Sequence, residues 1–236
     1  VFKNIFTVLY NLRLIKKELR TKRPNCIILI DYPGFNLKVA KYANDLKIPV
    51  FWFVAPQTWA WKESRVKLLE KYVNRLYVIL PFEKKYFSSN NINTEYFGHP
   101  LLEIINKSPI TSIDRKKTIL LCPGSRKQEI KSMLPTMLKV INHFRDYKFI
   151  ISGAKNIELA FYKKYINNQD VQVIYNKNYE LMKSASAAIV ASGTVTLELA
   201  LHKVPQVVCY KTSLITYIIA KKLVKIKFIS LVNLLL

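Results

Sequence analysis

Short, uninterrupted apolar runs recur along this chain, each followed by a turn and then by residues in helical spacing. The clearest are Cys26-Ile27-Ile28-Leu29-Ile30, Val50-Phe51-Trp52-Phe53-Val54, Thr118-Ile119-Leu120-Leu121-Cys122 and Ala187-Ala188-Ile189-Val190-Ala191. A strand that is apolar at every position has both faces buried, so it belongs in a parallel sheet with helices above and below. Further strands are read at residues 75–80, 148–151, 171–174 and 206–209. Helices are read over residues 2–20, 37–45, 65–72 and 82–87, with loops at 31–36 and 56–61. Residues 108–117 are polar, include Pro109 and have no apolar period. The chain therefore divides into a domain at 1–109, a linker at 110–117 and a domain at 118–236. The expected fold is α/β, two Rossmann-like parallel-sheet domains facing a cleft.

Two of the turns carry chemistry. After the run 118–122 comes Pro123-Gly124-Ser125-Arg126-Lys127-Gln128-Glu129-Ile130. A strand runs into a glycine turn and then into a helix, whose first N–H groups have no intrahelical partner and suit an anion. Gly124 lets backbone approach a ligand, and Arg126 offers a planar fork to phosphate oxygens. The segment is neither a Walker loop nor a G-x-G-x-x-G fingerprint. An ordinary strand-to-helix turn has the same pattern, and Glu129 has the spacing of a capping box with Ser125. The second turn, Ser192-Gly193-Thr194, follows the run 187–191 and precedes Val195-Thr196-Leu197-Glu198. Ser192 or Thr194 is placed to cap that helix, and Gly193 to clear space. Glu198 suits the paired hydroxyls of a ribose or, as readily, the dipole of its own helix.

Composition narrows the partners. Of 236 residues, 38 are Lys or Arg and 15 are Asp or Glu, a net charge of +23. The cations are scattered rather than gathered in a tail, and the balance favours phosphorylated substrates, acidic lipid or nucleic acid. Cys26, Cys122 and Cys209 are odd in number, lack a C-x-x-C pair and read as buried thiols. The three histidines have no metal-ligand spacing, so neither metal nor cofactor is expected. No apolar stretch is long enough to span a bilayer, and no signal peptide is visible. Val1 and the closing Leu234-Leu235-Leu236 read as cut ends.

Several segments carry a family resemblance. They are Ile30-Asp31-Tyr32-Pro33-Gly34-Phe35-Asn36-Leu37, Val54-Ala55-Pro56-Gln57-Thr58-Trp59-Ala60-Trp61, Ile79-Leu80-Pro81-Phe82-Glu83-Lys84 and Phe97-Gly98-His99-Pro100-Leu101. The two glycine turns and the stretch around Asn233 continue the series in the same order. Together they resemble the lipid-A-disaccharide synthases, bacterial glycosyltransferases of the GT-B fold. Family sequences carry a strand and a Gly/Ser/Asp-rich loop before the residue matching Val1, and they continue beyond the one matching Asn233. The chain is accordingly read as a fragment with an incomplete first domain, inactive alone. Val232 stands where the family usually has proline, and Gly34 where it usually has an acidic or other residue.

The resemblance implies a reaction and a cast. UDP-2,3-diacylglucosamine gives its sugar to 2,3-diacylglucosamine 1-phosphate with inversion, releasing UDP. Asp31, at the end of a strand, is the implied general base, although it could equally cap a helix or order its loop. Gly124, Ser125 and Arg126, with Ser192, Gly193 and Thr194, are the implied diphosphate site, and Glu129 is counted with them among the donor-binding residues. Glu198 is assigned to the ribose or to positioning Arg126, and Asn233 lies near the donor with no defined role. Gln57, Trp59 and Trp61 match a loop by the cleft, where packing explains tryptophan as well as ligand contact does. His99 reads as a loop residue bonded to backbone rather than as a catalyst. The diphosphate donor, the acceptor and an anionic membrane surface are the implied partners, with homo-oligomerisation left open.

Residues 2–20 pair Phe2, Phe6, Leu9 and Leu14 with Lys3, Arg13, Lys16, Lys17 and Arg20, and residues 215–228 repeat the pattern. Both suit the face of an anionic bilayer, as does a basic helix packed on a sheet. The implied place is the cytoplasmic face of the bacterial inner membrane. Two other readings stand beside this one: a non-catalytic remnant of the transferase, and a basic nucleic-acid-binding protein. Against the latter, the charge is dispersed and no nucleic-acid motif is present.

Overall fold

A computed structural model describes residues 5–60, 62–106, 117–166 and 169–211. Two compact units are present, the first running to Glu103 and the second beginning at Ile104. Residues 110–116 of the linker reading, the basic stretch 215–228, Trp61 and Asn233 lie outside the described residues.

The first unit runs α1 (Ile5–Lys22), β1 (Ile27–Ile30), α2 (Pro33–Asp45), β2 (Val50–Phe53), α3 (Val66–Tyr72), β3 (Arg75–Val78), α4 (Pro81–Ser88) and β4 (Thr94–Tyr96). Its strands pair in parallel in the order β1-β2-β3-β4, with Ile30 opposite Phe53. Leu29, Val50, Trp52, Leu76 and Val78 turn to one side and pack with Leu37, Ala40, Leu69 and Phe87. Burial of both strand faces, expected from the apolar runs, does not hold for β1. Burial alternates along it, leaving Ile28 67% and Ile30 62% exposed. The physical reason is position: among the described strands β1 lies at an edge of the sheet, where no further strand extends the covered surface.

The second unit follows α5 (Pro100–Asn106) and runs β5 (Thr118–Cys122), α6 (Lys127–Leu138), β6 (Lys148–Gly153), α7 (Leu159–Ile166), β7 (Val171–Tyr175), α8 (Asn178–Ser184), β8 (Ala187–Ala191), α9 (Val195–Leu201) and β9 (Gln206–Cys209). The sheet is parallel, in the order β7-β6-β5-β8-β9. Here the expectation of two buried faces holds for the central strand, β5, which is buried at all five positions, but not for β9, where Val207 is 63% exposed. Ile119 and Leu121 join Ile130, Leu134 and Tyr162 on one face, while Leu120 and Cys122 join Met182, Val190 and Leu199 on the other. The pleat alone produces that division.

Three sequence expectations are corrected. Helix α2 starts at Pro33 rather than at residue 37, because proline is preset for the first helical position and lacks only an N–H that would be unpaired there. Helix α5, which starts at Pro100 for the same reason, was not foreseen. Of the three thiols read as buried, only Cys122 is: Cys26 is exposed ahead of the edge strand, and Cys209 is intermediate in burial in β9, at the other sheet's edge.

Candidate functional site

Strand β5 pairs with β6 on one side and with β8 on the other. The chain therefore winds one way through β6 and β7, then returns and winds the other way through β8 and β9. At such a reversal the connections leaving the two central strands part, and a crevice opens at their carboxyl ends. The loops at that point are Pro123 to Arg126 after β5 and Ser192 to Thr194 after β8. They line a cavity of about 370 Å³.

The first wall is built around Glu129. Its Oε2 accepts the N–H groups of Ser125 at 2.9 Å and Arg126 at 3.3 Å, and its Oε1 lies 2.6 Å from Arg126 Nη1. Burial would raise the Glu129 carboxyl, but these donors outweigh it and hold the group below the ordinary glutamate range. The N–H groups that the sequence offers to an anion are thus held by a carboxylate in the first turn of α6. Gly124 has φ +118°, and a Cβ there would lie 2.6 Å from Glu129 Oε2. Glycine is required by the turn and by Glu129, not only by an approaching ligand. Arg126 keeps most of its guanidinium exposed, its side chain being 79% accessible.

The second wall is the turn after β8. Ser192 N–H donates to Cys209 O at 3.1 Å, which ties the turn to β9. The capping reading of Ser192 or Thr194 is corrected: Thr194 is the residue before α9, but its backbone is already helical, φ −57° and ψ −32°, and its hydroxyl makes no cap bond. A side-chain cap needs extended backbone. A Cβ on Gly193 would meet nothing within 4 Å, so this glycine faces open space. Glu198, half-buried, sits beside the turn, and burial raises its carboxyl above the ordinary range, partly offset by His202. Arg126 pairs with Glu129; among the described residues Glu198 forms no ion pair with it. Burial and the Glu198 charge push the Cys122 thiol up to about 12, so it stays protonated.

A third wall was not read from the sequence. Ser152, Gly153 and Ala154, at the end of β6, and Asn178, at the start of α8, also line the cavity. Ser152 Oγ donates to Asn178 Oδ1 at 2.8 Å. Two tyrosines fix this segment: Ala154 N–H donates to Tyr162 Oη at 2.9 Å, and Tyr175 Oη donates to Ile157 O at 3.0 Å. The strand-to-loop position after β6 was the available signal.

In the first unit, Asp31 is exposed at the carboxyl end of β1. Asp31 and Tyr32 both have positive φ, 46° and 44°. The buried Asn36 holds this turn, its Nδ2 donating to Ile30 O at 3.0 Å and Asp31 O at 2.7 Å. Asp31 does not cap α2; Tyr32 precedes that helix without a side-chain cap. Among the described residues the Asp31 carboxylate has no hydrogen-bond partner. The segment from Val54 to Ala60 leaves β2 next to it, because Asp31 N–H donates to Phe53 O at 3.2 Å. Gln57 is exposed on that segment and Trp59 is partly buried. His99 Nδ1 accepts the Leu101 N–H at 3.1 Å, and burial lowers its pKa. Among the described residues no three His, Cys, Asp or Glu side chains are grouped as a metal ion requires.

Comparison with known proteins agrees with this layout. The model of the family described as Lipid-A-disaccharide synthetase matches residues 1–236. The lipid-A-disaccharide synthase of Syntrophus aciditrophicus is 35% identical over 98% of this chain and 63% of its own length. That of Coxiella burnetii is 36% identical over 94% of this chain and 62% of its own. The chain thus spans less than two thirds of these relatives. Among solved structures, S. aureus MnaA with UDP aligns at TM-score 0.63 and 12% identity, covering 97% of this chain and 70% of that one. The Neisseria meningitidis UDP-GlcNAc 2-epimerase bound to UDP-GlcNAc aligns at 0.61 and 16%, covering 97% and 71%. At such identities the likeness is one of fold, two parallel-sheet units of the GT-B type.

Proposed function

This chain belongs to the lipid-A-disaccharide synthase family of glycosyltransferases, and on that premise we propose that it carries the donor and acceptor machinery of that transfer. The donor is UDP-2,3-diacylglucosamine and the acceptor 2,3-diacylglucosamine 1-phosphate. The observation that carries the reading is the pair of glycine loops at the reversal between β5 and β8. Arg126, with the N–H groups after Gly124 and around Gly193, takes the diphosphate, and Glu198 takes the ribose hydroxyls. Glu129 is the internal carboxylate that the diphosphate must displace or share. A cavity of about 370 Å³ lies in the range of small-molecule sites.

In the transfer, the acceptor 6-hydroxyl oxygen forms a bond to the anomeric carbon while that carbon's bond to the diphosphate breaks. UDP leaves with the bonding pair, and the configuration inverts. The hydroxyl proton passes to the Asp31 carboxylate, which is exposed and free of partners among the described residues. The leaving charge is met by Arg126 and by the backbone N–H groups of the turn, once the diphosphate has taken them from Glu129.

The substrates are acylated, and α1 has the surface to meet them at a membrane. Its inner stripe, Leu12, Ile15 and Leu19, packs on the core. A second stripe faces outward, with Phe6 82%, Tyr10 65%, Leu9 43% and Leu14 45% exposed. Arg13, Lys17 and Arg20 are exposed on the same side. An outward side that mixes apolar residues with cations suits a peripheral position on the anionic inner face of the inner membrane.

Calorimetric titration of UDP into the wild-type chain and into Arg126→Ala tests the donor site. Loss of a charge-assisted phosphate contact weakens binding by about 1.5–3 kcal/mol, roughly 10- to 150-fold. Equal affinities remove Arg126 from the site. Nucleic-acid binding that persists at moderate salt would favour the competing reading, since phosphate-driven binding falls steeply as salt rises.

A further inference from the structure

Glu83 lies in the first turn of α4 and is 1% exposed. Its Oε2 accepts the N–H groups of Leu80 at 3.0 Å and Ile79 at 3.3 Å, and its Oε1 accepts the indole N–H of Trp59 at 3.0 Å. Among the described residues no cation pairs with it. An ionised carboxylate taken out of water is costly unless donors replace the water. Two backbone N–H groups of the α4 entry account for one oxygen, as helix capping requires. The other oxygen reaches 24 residues back to Trp59. Capping does not explain that contact.

The segment it reaches is itself constrained. Val54 has φ +63°, a conformation that a β-branched residue adopts only under constraint. It directly follows Phe53, whose carbonyl accepts the Asp31 N–H. At the far end Trp59 meets the Phe82 ring edge-on at 5.0 Å between centroids. The segment is thus strained where it leaves the sheet beside Asp31 and held at its far end by α4. Strain of this kind persists only where the surroundings over-determine it.

We propose that Glu83 is the positioning residue of the acceptor surface, a buried latch that fixes residues 54–60 beside Asp31 and so sets Gln57 and Trp59 against the incoming sugar. It touches no substrate; it acts through the Trp59 indole and through the α4 entry. The proposal rests on the transferase reading for what the segment meets.

The test uses the 236-residue chain labelled with ¹⁵N, with Trp59→Phe identifying the Trp59 indole resonance. Glucosamine 1-phosphate, the soluble head group of the acceptor, is the probe. In Glu83→Gln the single carbonyl oxygen cannot serve three donors. Indole hydrogen exchange at Trp59 should quicken at least tenfold while the Trp52 indole is unchanged. The probe's perturbation of Asp31 and Gln57, present in the wild type, should be lost in Glu83→Gln and partly recovered in Glu83→Asp. Unchanged Trp59 exchange in Glu83→Gln overturns the latch. Faster exchange with an undiminished probe response makes Glu83 merely structural and overturns the positioning role. A wild-type chain that does not respond to the probe overturns the acceptor reading itself, a failure visible before any Glu83 variant is compared. If Glu83→Gln does not fold, Glu83→Asp, which keeps the charge but shortens the reach to the Trp59 indole, makes the same comparison, with Trp59 exchange and the probe response at Asp31 and Gln57 as readouts.

Discussion

Arg126 and Glu129 are the residues on which the proposed donor site turns. Their ion pair, at 2.6 Å, joins a guanidinium and a carboxylate that are 79% and 36% accessible, so in water it adds little to stability. What the pair does is hold a carboxylate against the N–H groups of the glycine turn. Gly124 has little freedom to change. Alanine there combines the strain of φ +118° with a Cβ overlapping the Glu129 carboxylate. Gly124→Ala should cost about 1–3 kcal/mol, read from urea unfolding followed by circular dichroism. It should also weaken UDP binding, because Glu129 must move into the crevice. A variant as stable as the parent would show that the turn relaxes freely. Asp31 is argued from its isolation. Asp31→Asn keeps shape and hydrogen bonding but cannot take the proton. In a protein of the relatives' length bearing this segment, turnover should fall about 10²- to 10⁴-fold with donor affinity little altered. Collapse of UDP affinity with turnover intact would make Asp31 a binding residue.

Helix α1 belongs to the scale of elements, because its inner and outer stripes do different work. Substituting Leu12 or Leu19 disturbs the core, whereas Phe6 and Leu9, 82% and 43% exposed, lie outside the core cluster. The pair Phe6→Ser and Leu9→Ser should leave thermal unfolding unchanged and lower binding to anionic vesicles by roughly tenfold or more, since each buried apolar side chain contributes about 1.5–3 kcal/mol. Undiminished vesicle binding would assign the outer stripe another purpose. Strands were the most legible elements in the sequence, since unbroken apolar runs of four or five residues have few alternatives. The residues 118–122 read as a strand are β5 to the residue. Helix starts at Pro33 and Pro100 were less legible, because proline after a loop reads as loop until its first-position role is recognised. The two glycine turns were legible because local pattern suffices for them. Glu83 was not, because one of its donors comes from a segment 24 residues away. The wall of Ser152, Gly153 and Asn178 was missed for the same reason, Ser152 and Asn178 lying 26 residues apart at the end of β6 and the start of α8.

Over the whole molecule, charge is the property that sequence fixes and local structure does not relieve. The 38 cations face only 15 acids, and the ion pairs found among the described residues are exposed ones such as Lys22 with Glu18. A net charge of +23 on 236 residues repels itself and destabilises the folded state at low ionic strength. Raising salt from 0.01 to 0.1 M shortens the screening length from about 30 Å to about 10 Å, so the melting temperature should rise. The same salt should weaken attachment to anionic vesicles, where each cation near the surface contributes about 1 kcal/mol. The outward apolar stripe of α1 is insensitive to screening, so part of the vesicle binding should survive 0.1 M salt, and binding to nucleic acid should not. Melting curves and vesicle co-sedimentation, run over one salt series, separate these effects. A melting temperature that falls with salt would show that the scattered cations are neutralised within the fold. Vesicle binding that vanishes in step with nucleic-acid binding would show that the protein meets membranes through charge alone, and would remove the reason for assigning α1 to the lipid surface.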